Sequence, residues 1–204
     1  NHFADITEAG GGVFTSLNGT VLANSDFLTG AMPAEFGNAL SGAFDMKMRV
    51  GNNTKYEHAV QVGTLGVDFA SEGPLGKGSK ASYLVNYRYS VLEIAKKLHA
   101  INMEKETLDY QDLSFKLNMP TQKAGTFAVW FTGLIDRYEN EVPDVSDWET
   151  MWDMNDSWSR QSNCAVGLTH NYRFRSGGTL HSSVAYTGAY RKLGVNDYDT
   201  EMNM

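Results

Sequence analysis

One cysteine, Cys164, stands in a chain of 204 residues, so no intrachain disulfide can staple the fold. Its place in an apolar row marks it as a small hydrophobe rather than a reactive thiol. Basic residues are outnumbered, 17 Lys and Arg against 24 Asp and Glu, and the net charge of −7 removes the electrostatic footprint of a nucleic-acid binder. No apolar run approaches the ~18 residues of a transmembrane helix, so only hydrogen-bonded strands could carry this chain through a bilayer. Enzyme signatures are missing too: there is no G-x-S-x-G elbow, no P-loop and no H-E-x-x-H. His2, His58, His99, His170 and His181 are scattered without an i, i+4 pair or a cysteine companion, a poor basis for a metal site. These absences lead us to expect a protein that is no enzyme, with no catalytic residues, no cofactor and no nucleic-acid partner.

What the chain does have is alternation. Over 112–119, Leu113, Phe115, Leu117 and Met119 share one face while Asp112, Ser114, Lys116 and Asn118 share the other. That is a period of two, so a strand. Tyr83, Val85, Tyr87 and Tyr89 are set against Ser82, Asn86 and Arg88. Phe127, Val129, Phe131 and Ile135 form another apolar row, as do Cys164, Val166 and Leu168, and then Leu180, Val184, Tyr186 and Tyr190 around Gly188. The opposite faces are too consistently polar to line a core.

The connections are of two kinds. Residues 73–79, 120–125 and 175–178 are compact and rich in Gly, Pro and Ser, as turns require. Residues 91–109 and 139–156 are long, charged and irregular. Strands of about 9–11 residues joined by alternately short and long connections fit an outer-membrane barrel, with short turns on the periplasmic side and long loops outside. Between 56 and 74 this scheme demands a tight outer hairpin near Gly63 and Gly66. The predicted fold is therefore all-β, a partial transmembrane antiparallel β-barrel of about seven strands. That is too few for even the common eight-stranded closure, and the expectation is a segment of a longer chain.

The first fifty residues differ. A Gly-rich stretch, 10–22, precedes Pro33-Ala34-Glu35-Phe36-Gly37-Asn38-Ala39-Leu40-Ser41-Gly42 and a strand over 43–49. This run resembles the end of the plug domain of TonB-dependent outer-membrane receptors. Phe44 to Asn53, Glu72-Gly73-Pro74-Leu75 and Asn86-Tyr87-Arg88-Tyr89-Ser90 resemble the subset common in Bacteroidota. The resemblance spans residues 1 to about 190 and implies the last part of a plug over 1–49, then over 50–204 the first strands of a barrel of about 22. The TonB box, the N-terminal extension, the first half of the plug and the closing strand lie outside the residues given. The resemblance further implies a Gram-negative outer-membrane location and contact with outer-membrane lipid. It also implies a TonB-type periplasmic energy-coupling protein and a surface lipoprotein or larger membrane complex as partners.

Two sets of candidate site residues follow. Glu35, Asp45, Lys47 and Arg49 are placed to meet polar side chains of an inner wall, among them Glu57 and Arg88, with Gln61, Asp68, Glu72, Asn86, Lys116, Asn171 and Arg173 on the same face by alternation. The acidic stretch 136–156 carries Asp144, Asp147 and Glu149 beside Trp148 and Trp152, an expected outer ligand-binding loop. Converging carboxylates suit Ca²⁺, but no EF-hand spacing is present and acidic loops are usually solvated. The tryptophans suit sugar stacking, and equally the packing of a loop at a membrane interface. Residues 91–98 have helical spacing, a short helix near the mouth of the barrel.

Three functions compete at this point. The first, by resemblance, is a TonB-dependent receptor importing a scarce, bulky ligand through energy-coupled plug movement. The second is a passive porin-like or assembly-associated outer-membrane barrel. The third is a soluble, exported carbohydrate-binding β-sandwich, whose apolar rows would face a protein core.

Overall fold

The computed structural model describes residues 18–30, 42–63, 66–90, 106–142, 148 and 155–197. Nine strands make up its regular structure, and no helix occurs among the described residues. The predicted helix over 91–98 lies outside them. Strands β1 (Asp26–Thr29) and β2 (Gly42–Asp45) pair as a small antiparallel ribbon. The other seven form one antiparallel sheet in chain order: β3 (Glu57–Val62), β4 (Gly66–Pro74), β5 (Ser82–Ser90), β6 (Glu106–Pro120), β7 (Thr126–Asn140), β8 (Asn155–Arg173) and β9 (Thr179–Asp197). The chain is all-β, and its large sheet is an uninterrupted meander.

Turn chemistry explains the order. Gly78, Gly125 and Gly177 hold positive φ values of 75°, 80° and 91° in the three short connections, which side chains with a Cβ rarely adopt. Thr121 donates its backbone N–H to the Gly125 carbonyl at 2.8 Å, and Phe174 does the same to Gly178 at 2.8 Å. The hairpin between β3 and β4 closes with Gly63 N–H donating to the Gly66 carbonyl at 2.9 Å, at the place the spacing predicts.

Strand length departs from expectation. The spacing predicts about ten residues per strand, whereas β6 and β7 run to 15 and β8 and β9 to 19. Residues 106–109, 139–140 and 155–156, expected in loops, are paired. Their side chains are charged or mixed, so local patterning gives no strand signal, but each lies in register with a neighbour that satisfies its backbone groups. Asp136, read with the acidic loop, is likewise part of β7.

Register sorts the side chains into two faces. One row across the sheet reads Gln61, Asp68, Arg88, Asp112, Leu134, Asn163 and Ala189; the next reads Ala59, Ala70, Asn86, Ser114, Thr132, Ala165 and Thr187. On the opposite face the rows read His58, Ser71, Val85, Phe115, Phe131, Val166, Tyr186 and Val62, Val67, Tyr89, Gln111, Ile135, Ser162, Tyr190. Burial runs against the usual sense. On the interior strands Asn86 is 0 % and Asp112 2 % exposed, while Ile135, Val166 and Leu168 are 57 %, 39 % and 46 % exposed. Polar side chains are covered, and large apolar ones face outward.

Candidate functional site: the polar face and the segment seated on it

The site starts from an Asn-Gly turn. Asn18 accepts the Thr20 N–H at 2.9 Å on its Oδ1, and its backbone carbonyl accepts Val21 N–H at 3.2 Å. The turn aims the Asn18 amide at the sheet. There Nδ2 donates to the Asp68 carboxylate and to Asn86 Oδ1 at 3.1 Å, and Asn86 Nδ2 donates to Asp68 Oδ1 at 2.6 Å. Beyond the turn, Leu22 bridges to Met48, Ala23 N–H donates to Lys47 O at 2.7 Å and Arg49 N–H to Val21 O at 2.9 Å. Residues 21–23 and 47–49 thus form a short ladder.

Arg49 joins this ladder to β4. Its Nε donates to the Thr20 carbonyl at 2.6 Å, while its two terminal nitrogens grip the two oxygens of Glu72 at 2.7 and 2.8 Å. A guanidinium fork on a carboxylate is among the stronger polar contacts a protein makes. The Glu72 bond, set against some desolvation, holds the Arg49 guanidinium more firmly protonated than usual. Asn52 N–H donates to Glu72 at 2.7 Å, and Asn52 Nδ2 to Glu57 at 2.8 Å. Lys55 pairs with Glu57 at 2.7 Å, and that bond raises the lysine pKa. Lys116 of β6 reaches across to donate to the Met48 carbonyl at 2.6 Å. Gly51 completes the seat, because a Cβ there would collide with the Tyr83 carbonyl.

Further along the same face, Arg88 donates through Nε to Asp112 at 2.6 Å and lies 5.3 Å from the centre of the Tyr110 ring. Asp112 Oδ1 and both oxygens of Asp136 are buried without a hydrogen-bond partner among the described residues. They border a small apolar cluster of Leu108, Tyr110 and Leu134 with Tyr138.

Of the residues singled out by sequence, Arg49 and Glu57 are brought into this network, Arg49 directly to the sheet and Glu57 through Asn52 and Lys55. Arg88 sits on the same face and pairs within the sheet. Asp45 and Lys47 form a local ion pair at 2.6 Å. Glu35 lies outside the described residues, as do Asp144, Asp147, Glu149 and Trp152; Trp148 is half-buried. No group of three or more His, Cys, Asp or Glu is placed to hold a metal ion among the described residues. Sequence reasoning passed over Asn18, although its Asn-Gly pair is a turn signal that pointed there. It also passed over a contact on the apolar face, where His58 Nδ1 and Ser71 Oγ lie 2.9 Å apart and Ser71 Oγ is 3.1 Å from the Tyr83 hydroxyl.

No protein-family model, curated protein or solved structure matches this chain. The geometry itself provides a polar seat whose contacts are hydrogen bonds and one forked ion pair. Val21, 2 % exposed, adds an apolar contact to the seated segment.

Proposed function

We propose that this chain is part of a TonB-dependent outer-membrane receptor of the Bacteroidota type. In this reading residues 1–49 are the last part of a plug, residues 50–204 are the first barrel strands, and the protein imports a scarce, bulky ligand by binding and energy-coupled plug movement. One observation carries it: on its interior strands the sheet turns apolar side chains such as Ile135, Val166 and Leu168 outward, while the polar face of β4, β5 and β6 is bonded to the segment 18–23 and 47–52. A water-soluble sheet does the opposite, because exposing Ile135, Val166 and Leu168 to water forgoes the burial that drives folding. Lipid outside and a polar plug inside satisfy both faces.

The same observation ranks the alternatives. A passive porin-like barrel needs no segment bonded to its inner wall, and a carbohydrate-binding sandwich needs its apolar rows against a second sheet. The import step works only if ligand binds two plug states unequally. Polar contacts such as those of Asn18 and Arg49 suit a body that must part from its wall, since water can replace them.

The test is fractionation of the native full-length chain from its source cell, followed by uptake of candidate iron chelates, cobalamin, oligosaccharides and peptides with the proton gradient intact or collapsed. Detergent-dependent extraction from the outer membrane, with uptake that stops when the gradient is collapsed, is the expected result. A chain released without detergent would end the barrel reading. Gradient-independent uptake would leave the passive barrel in its place.

A further inference from the structure

We propose that the outward face of β8 and β9, one step beyond the apolar band, binds the phosphate of an anionic membrane lipid through Arg160 and Lys192, with Trp158 beside them. The site rests on the barrel reading above, since only there does this face meet a membrane surface.

Register brings the residues together. Arg137, Arg160 and Lys192 occupy one cross-strand row, and Glu139, Trp158 and Gly194 the next. The Arg160 guanidinium carbon lies 5.8 Å and the Lys192 ammonium 5.3 Å from the centre of the Trp158 ring. Gly194 makes this possible, because a Cβ there would collide with the indole, which instead lies over bare backbone. On the other side of the basic row come Ile135, Ser162 and Tyr190, with Ile135 and Tyr190 57 % and 61 % exposed. The order along the strands is apolar row, cationic row, tryptophan. That is the order of a membrane boundary, where tryptophan and basic side chains mark the headgroup level.

The charges around the row decide which cations are available. Arg137 is held by Glu139 at 2.8 and 2.5 Å and has Asp109 as its register partner. Asp156, beyond Trp158, accepts from Asn196 at 3.5 Å. Arg160 and Lys192 face each other across the strand pair with the indole beside them, and neither forms an ion pair with a carboxylate among the described residues. Two adjacent cations so placed fit a phosphate, which arginine can grip with two donors and lysine as a point charge. A lipid is the fitting source, because its acyl chains would cover the apolar rows next to the site while its phosphate meets the cations. Free phosphate would leave those rows bare.

The experiment uses the native full-length protein, reconstituted into phosphatidylcholine vesicles with and without phosphatidic acid, extracted gently, and weighed by native mass spectrometry for retained lipid. Wild type should keep phosphatidic acid in preference to phosphatidylcholine. Arg160→Gln with Lys192→Gln should lower that retention about thirtyfold, as expected for two cations near an anionic surface. Arg160→Lys should keep most of it. Lys77→Gln with Lys80→Gln, the same loss of charge in the connection between β4 and β5, should change nothing, and excess inorganic phosphate should not displace the lipid. Unchanged retention in the Arg160/Lys192 variant, equal loss in the Lys77/Lys80 variant, or displacement by inorganic phosphate would each overturn the site while leaving the barrel reading standing. A wild-type chain that does not float with the vesicles would instead overturn the barrel reading, and this site with it.

Discussion

Arg49 shows how much a single side chain fixes when it has three partners. Its forked contact with Glu72 and its bond to the Thr20 carbonyl join the turn at Asn18, the strand pair 21–23/47–49 and the wall strand β4. Glu72→Gln should leave the guanidinium without its counter-charge and cost roughly 1.5–3 kcal/mol, toward the lower end because the arginine side chain is one-third exposed. Amide hydrogen exchange over residues 45–52 should then quicken, while Asp45→Asn, which breaks only the exposed local pair with Lys47, should leave it nearly unchanged. Equal exchange in both variants would remove Arg49 as the anchor. The sequence placed Arg49 in the N-terminal segment and Glu72 among the polar residues facing it; that these two pair was decided only by the folded structure.

At the scale of the strand, alternation carries the argument. Phe115 stacks on Phe131 with ring centres 5.7 Å apart on the outward face, and its neighbour Lys116 turns inward to the Met48 carbonyl. If that outward face meets lipid, Phe115→Arg should block membrane assembly, since an arginine at the bilayer midplane costs about 2–4 kcal/mol. Lys116→Ala should lose one hydrogen bond and still assemble. Heat-dependent gel mobility of the full-length chain reads the difference, and equal assembly of both variants would refute a lipid-facing row. The rows at 113–117 and 164–168 were legible because each residue carries its own share of a period-two pattern. The outer thirds of β6 to β9 were not: residues 106–109, 139–140 and 155–156 were expected in loops, and Arg160 and Lys192 fall outside the alternating rows until the partner strand is laid beside them.

Seen as a whole, the molecule has two unlike ends. The turns at 75–81, 121–125 and 174–178 close one end of the sheet, and the long connections 91–105 and 141–154, the second of them acidic, leave from the other, beside the tight hairpin at 63–66. Under the receptor reading the long connections face outside the cell. In a Cys164→Ser background, Glu141→Cys on intact cells should react with a membrane-impermeant maleimide and Gln122→Cys should not. Labelling of Gln122→Cys alone would invert the orientation, and labelling of both in intact cells would contradict a membrane between them. Both ends carry aromatic side chains. At the turn end, Phe127 stacks on His170 at 4.3 Å and Tyr172 meets Phe174 edge-on at 4.9 Å.

The sequence by itself determined that the chain is all-β, which residues share a face, where the tight turns fall and that one face carries most of the polar side chains. These properties are local: period two, glycine at positive φ and charge are written residue by residue. Only the tertiary structure decided how far the strands run, which polar residues meet the N-terminal segment, and that Trp158, Arg160 and Lys192 stand together. Those depend on register between strands tens of residues apart, and register is set by the summed fit of two whole strands rather than by the character of any one residue.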